Sequence, residues 1–339
     1  MTKQTPLELV EGTLSYQETK RAPVVPLVGL FSSTVSSFSV ESLVHDPQKQ
    51  AESQLLALDM FGYDGVFTCM DLTVEAEALG AEVVFENRAF PYVKGHPVED
   101  ARRLEDLALP PVEDTRISIF VDAARILSEK LLETHLVSSY VIGPFTLAGH
   151  LLDAERLLEI SIEEQELAVD IVGHCEEILR PVLDAYAEAG VHNIVILEPT
   201  ASTSIISPRF FEKLSKPFLK SMVSRIHSRG CRATVHICGR TQRIVHHMCQ
   251  TGADALSLDS AVDLGNAIET ANGRAAIIGN VDTSLLLTGS THDVRTAAEE
   301  CLAASSGRGG LILSSGCDLP IETPLENVEV LVRTGKGEE

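Results

Sequence analysis

Short, nearly continuous apolar runs alternate along this chain with longer stretches whose apolar residues recur at helical spacing. The short runs fall at residues 23–29, 65–70, 136–141, 193–197, 232–235, 255–259, 275–280 and 310–313. Runs of this length, rich in Val and Ile, are what strands covered on both faces look like. Helical spacing fills residues 50–61, 116–132, 155–189 (two helices), 208–228, 242–251, 264–271 and 294–305. Eight strands, each followed by helical sequence over more than ~250 residues, predict an α/β fold of the (β/α)8 TIM-barrel kind. We expect one domain over residues 1–339, with 1–22 as a helical N-terminal extension. Residues 81–112 break the rhythm: a β-like pair near Val83-Val84-Phe85 is followed by Pro91, Pro97, Pro110 and Pro111, which predicts an inserted lobe.

In a barrel of this type, chemistry sits where the strands end. The polar residues at those ends are Asp71, Glu198, His236, Cys238, Asp259, Asn280 and Cys317. Two of them belong to one short motif, Thr234-Val235-His236-Ile237-Cys238-Gly239. Residues i and i+2 of a strand share a face, so the imidazole and the thiol project together. Leu311-Ile312-Leu313-Ser314-Ser315-Gly316-Cys317 repeats the design, an apolar strand running into Gly and then Cys. Three N and S donors with a fourth position left open describe a catalytic zinc site; a structural site would be closed.

Charge narrows the partners. With 49 acidic and 27 basic residues the formal charge is −22, so phosphate backbones and anionic membrane surfaces are repelled. Neither nucleic acid nor membrane is an expected partner. No stretch approaches the ~20 apolar residues of a membrane span, and the first residues are followed by acidic sequence rather than an apolar leader. The expected location is the cytoplasm. Seven cysteines, an odd number spread over a long chain, read as reduced thiols and not as a disulfide framework. Cys69, Cys175, Cys231, Cys249 and Cys301 are expected to be small buried hydrophobes.

Four segments carry a family resemblance: Ile142-Gly143-Pro144-Phe145-Thr146-Leu147-Ala148-Gly149, Val235-His236-Ile237-Cys238-Gly239, Gly279-Asn280-Val281-Asp282, and Ser315-Gly316-Cys317-Asp318-Leu319-Pro320 with Glu322-Thr323-Pro324-Leu325-Glu326-Asn327. They resemble the methylcobalamin:coenzyme M methyltransferases of the uroporphyrinogen decarboxylase superfamily. The resemblance runs from about Pro23 to the C-terminus and is most specific in the last third. It implies a TIM barrel with zinc on His236, Cys238 and Cys317, and a displaceable acidic fourth ligand. Asp259 is the positional match for that ligand, where Glu is the family's residue, and Glu198 is the reserve. It also implies methylcobalamin on a corrinoid protein as methyl carrier, with Gly143, Pro144, Phe145, Glu198 and Asn280 as cofactor-binding residues, and a small thiol such as coenzyme M as acceptor.

Three other readings remain open at this point. One is a donor-side methyltransferase that loads a corrinoid protein from a small methylated substrate. Another is metal-free decarboxylation of a porphyrinogen, although Leu27-Val28-Gly29-Leu30-Phe31-Ser32-Ser33-Thr34 contains no arginine to grip its carboxylates. The third is a non-catalytic barrel that binds corrinoid proteins.

Overall fold

A computed structural model describes residues 4–305 and 308–338. Its strands are β1 (Gly65–Phe67), β2 (Glu82–Val84), β3 (Tyr92–Gly95), β4 (Leu136–Ile142), β5 (Asn193–Leu197), β6 (Arg232–Ile237), β7 (Ala255–Leu258), β8 (Ala276–Val281) and β9 (Leu311–Ser315). Seven of them form one parallel sheet in the order β1-β4-β5-β6-β7-β8-β9, with helices in the crossovers, so the fold is of the TIM-barrel type. β2 and β3 pair separately as an antiparallel hairpin within the segment expected as an inserted lobe.

The expected first strand, residues 23–29, is reduced to a single bridge between Val24 and Leu313. Pro23 and Pro26 lack the N–H groups a longer ladder would need. The bridge nevertheless fills the gap between the outer strands: Leu313 N–H donates to Pro23 O at 2.8 Å, Val25 N–H to Leu313 O at 2.9 Å, and Asp64 N–H to Val24 O at 2.8 Å. Seven strands and one bridged segment therefore make the ring.

Side chains on the inner faces fill that ring. Val25, Leu27, Phe67, Leu136, Tyr140, Val195, Leu197, Ala255, Ala276, Ile278 and Ile312 form one buried cluster with Val10. Val10 comes from the helix Pro6–Leu14, which a Thr5/Glu8 capping box starts. Leu7 N–H of this helix bonds Thr134 O at 2.9 Å, just before β4, and Glu11 pairs with Arg232 at the start of β6. The N-terminal extension thus closes the bottom of the barrel and leaves the top free for chemistry.

Several helices differ from the expected ones. The residues after β4, where no helix is expected, form the helix Pro144–Leu152, with Pro at its first position where the missing N–H costs nothing. The expected helix over 208–228 is interrupted by a π turn at Phe211–Ser215 before Lys216–Ser228. Pro217 has no N–H for a regular ladder, and the register shifts around it. Helices Thr283–Thr288 and Leu325–Lys336 were not expected.

Candidate metal centre

β6 lies between β5 and β7 and is buried along its inner face, so its end is held firmly. His236 is 1% exposed, and Cys238 follows on the same face just past the strand. The His236 Nε2 to Cys238 Sγ distance is 3.0 Å. Cys317 arrives from the end of β9, with β7 and β8 between it and β6. Its sulfur stands 3.3 Å from Cys238 Sγ and 3.7 Å from His236 Nε2. Gly316 makes the approach possible, because a Cβ there would lie 2.7 Å from the Ser260 nitrogen. Among the described residues these three form the one group of three or more His, Cys, Asp and Glu side chains whose donor atoms converge closely enough for a metal, all within 4.8 Å. Ligand distances of about 2.0–2.3 Å at tetrahedral angles put donors roughly 3.5–3.8 Å apart, so small adjustments would admit zinc.

The two thiols share their protons unequally. The Cys238 thiol donating to Cys317 holds the Cys317 thiol well below its usual range, and His236 adds to this against the effect of burial. The same contact, with burial, pushes Cys238 up. Cys317 is therefore the first of the pair to give up its proton, and a cation placed between the sulfurs would take the second as well.

Asp259, expected as the fourth ligand, lies outside this cluster. Its Oδ2 accepts the Gly239 N–H at 2.9 Å and its Oδ1 the Ala261 N–H at 2.9 Å. These bonds fix the backbone immediately after Cys238. Asn280, expected to bind cofactor, is also committed to backbone: its Nδ2 donates to Asp259 O at 3.0 Å and Val262 O at 2.8 Å.

Glu198, the reserve ligand and expected cofactor contact, is fully buried. Its carboxylate accepts from Phe145 N–H at 3.1 Å, Thr146 N–H at 2.7 Å and Thr146 Oγ1 at 2.6 Å. It caps the helix Pro144–Leu152, whose N-terminal N–H groups would otherwise be unpaired. Burial pushes its carboxyl up to about 7 despite those bonds. Gly143 is there because a Cβ would fall 2.5 Å from the Glu198 carboxyl carbon. Pro144 and Phe145, also expected to meet cofactor, are buried in the same packing. The set Gly143, Pro144, Phe145 and Glu198 is thus a strand-to-helix joint with no free polar side-chain atom for a ligand. Asp71 is spoken for too, its Oδ2 lying 2.6 Å from Arg116 Nη1.

Three residues near the cluster were not anticipated. Ser257 Oγ lies 2.9 Å from His236 Nδ1. Asp318 is buried with both carboxylate oxygens lacking a hydrogen-bond partner, and the Tyr140 hydroxyl is in the same state. Burial, then the neighbouring Cys317 sulfur, pushes the Asp318 carboxyl well above the usual range. Asp318 directly follows Cys317 and so could have been noticed; nothing in the sequence pairs Ser257 with His236.

Comparison with known proteins gives the chain a family. Residues 5–337 match the profile of the uroporphyrinogen decarboxylase family. The chain is 28% identical to the methylcobamide:CoM methyltransferase MtbA of Methanosarcina acetivorans, over 99% of both chains. It is 28% identical to the methylcobamide:CoM methyltransferase MtaA of Methanosarcina barkeri, over 85% of this chain and 84% of that one. A solved methyltransferase from Methanosarcina mazei superposes with a TM-score of 0.90 at 26% identity, covering 99% of each chain.

Proposed function

Since the chain belongs to the uroporphyrinogen decarboxylase family, we propose that it is a zinc-dependent methyltransferase moving a methyl group from methylcobalamin on a corrinoid protein to a small thiol such as coenzyme M. The observation that carries this reading is the convergence of His236 Nε2, Cys238 Sγ and Cys317 Sγ at the barrel top. Zinc bound there would be offset by two thiolates, leaving a neutral centre at which an added thiol is held as the more nucleophilic thiolate. The protein's own part is to hold these three donors in a rigid setting. His236 is buried on β6, the Asp259 carboxylate ties down the Gly239 backbone, and Gly316 lets Cys317 close in. The relatives whose names join methylcobamide to CoM favour this direction of transfer.

We read the chain as one domain acting in the cytoplasm; no helix among the described residues is long and apolar enough to cross a membrane. A donor-side reaction, in which a small methylated substrate loads the corrinoid, is the second reading. It draws support from a 24% identical relative named methylated-thiol–coenzyme M methyltransferase from Methanosarcina mazei. Purified protein incubated with methylcobalamin and a panel of thiols decides between them. Thiol-dependent formation of cob(I)alamin, lost together with stoichiometric zinc in Cys317→Ala, is the expected result. Cobalamin methylation by a methylated thiol, with no reaction of free thiols, would replace it with the second reading.

A further inference from the structure

Histidine ligands depend on what their other ring nitrogen meets. In the parallel pairing of β6 with β7, His236 is the register partner of Ser257, and on the β5 side it is the partner of Leu197. Register partners on adjacent parallel strands project from the same face of the sheet, and Leu197 belongs to the buried cluster inside the ring, so the imidazole stands between an apolar neighbour and a hydroxyl. Ser257 is 2% exposed and His236 1%, which keeps water from taking the place of the hydroxyl. The 2.9 Å contact is to Nδ1, while Nε2 faces the two sulfurs.

We propose that Ser257 is a positioning residue for the metal centre, fixing the ring orientation and tautomer of His236. This rests on the reading of His236, Cys238 and Cys317 as metal ligands. A neutral imidazole that offers the Nε2 lone pair must carry its proton on Nδ1, so Nδ1–H donates and Ser257 Oγ accepts. The rival tautomer would place a proton on Nε2, aimed at the sulfurs and blocking the metal. Metal-bound histidines often use a carboxylate for this purpose. Here a hydroxyl orients the ring without adding charge, so two thiolates alone balance a divalent cation. A carboxylate at position 257 would leave the centre with an excess buried negative charge. Ser257 thus belongs to the metal centre although it cannot reach the metal and sits on a strand that contributes no donor to the cluster.

The test measures zinc affinity by competition with a chromogenic chelator, apart from turnover. Ser257→Ala is expected to weaken zinc binding by about 10–100-fold, and Ser257→Thr, which keeps the hydroxyl, to restore most of it. In zinc-loaded protein with 15N-labelled histidine, the His236 Nδ1–H signal should be protected from exchange in the wild type and lost in Ser257→Ala. Unchanged affinity and an unchanged signal in Ser257→Ala would overturn the proposal. A Ser257→Thr protein that is folded by circular dichroism yet as weak as Ser257→Ala would overturn it too, by showing that packing and not the hydroxyl matters. His236→Ala separates the two levels. If it keeps zinc, the metal-centre reading fails; if it loses zinc while Ser257→Ala does not, only the role of Ser257 fails.

Discussion

The sulfurs of Cys238 and Cys317 stand 3.3 Å apart although 79 residues separate them in the chain. Without metal, this contact draws the Cys317 thiol below its usual range and pushes Cys238 above it. Cys69 and Cys175 differ sharply, because complete burial pushes both thiols up. Brief treatment of the metal-free protein with iodoacetamide near pH 7 should therefore modify the Cys238/Cys317 pair first and spare Cys69 and Cys175. Peptide mass spectrometry reads the sites, and zinc added beforehand should protect the pair. Equal labelling of Cys175 would show that the barrel opens more readily than its packing implies.

Asp259 gives a second prediction. Its Oδ2 holds the Gly239 N–H beside Cys238, and a charge-assisted bond of this kind contributes roughly 1.5–3 kcal/mol. Asp259→Ala should retain close to one zinc per chain, since three strong donors remain, while turnover falls about tenfold or more as the Cys238 loop loosens. Asp259→Asn keeps an acceptor and should lie between. Zinc content by atomic absorption and initial rates separate the effects; complete zinc loss in Asp259→Ala would make the residue a ligand.

Stability should depend on pH through Glu198 and Glu75. Burial, the leading cause for each, pushes both carboxyls up to about 7 from an ordinary value of 4.5. Between pH 4.5 and 7 the folded state then holds more protons than the unfolded one, so stability falls as pH rises through this window. Each group contributes on the order of 3 kcal/mol at most across it. Chemical denaturation of Glu198→Gln at pH 5 and pH 8 should show a smaller difference than the wild type. The substitution loses one acceptor for the Phe145 and Thr146 N–H groups and should lower stability at pH 5 by ~1 kcal/mol.

Thiol binding carries its own signature. If the acceptor thiol joins the metal directly, mixing it with the zinc-loaded protein below the thiol's free pKa should release about one proton per site. A weakly buffered pH indicator reads this. Cobalt-substituted protein should change its visible spectrum in the same titration. A methylated substrate without a free thiol should produce no proton.

Much of this was legible because strands follow simple arithmetic. His236 and Cys238 share a face at any register, and an apolar run ending in Gly316-Cys317 announces a second donor wherever the ring places it. Ser257 was not legible, because which β7 residue lies beside His236 depends on how two strands are offset, and both alignments look alike in sequence. Residues 23–29 read as a strand by composition, yet Pro23 and Pro26 left only the Val24 bridge. Gly143, Pro144 and Phe145 were expected to meet cofactor, and the structure makes them a strand-to-helix joint. Pro144 at a helix start was the signal to weigh, and Glu198 was the partner that only three dimensions reveal.

The closure of the ring also has a meaning in time. Val24 bonds across to Leu313, the Tyr16 hydroxyl reaches Ala275 O at 2.7 Å, and Glu11 grips Arg232. A nascent chain emerges N-terminus first, so the floor of this barrel is synthesised before the walls it must seal. Pairings spanning more than two hundred residues are slow to form. Until β9 is made, Val10, Val25 and Leu27 have no complete interior to enter.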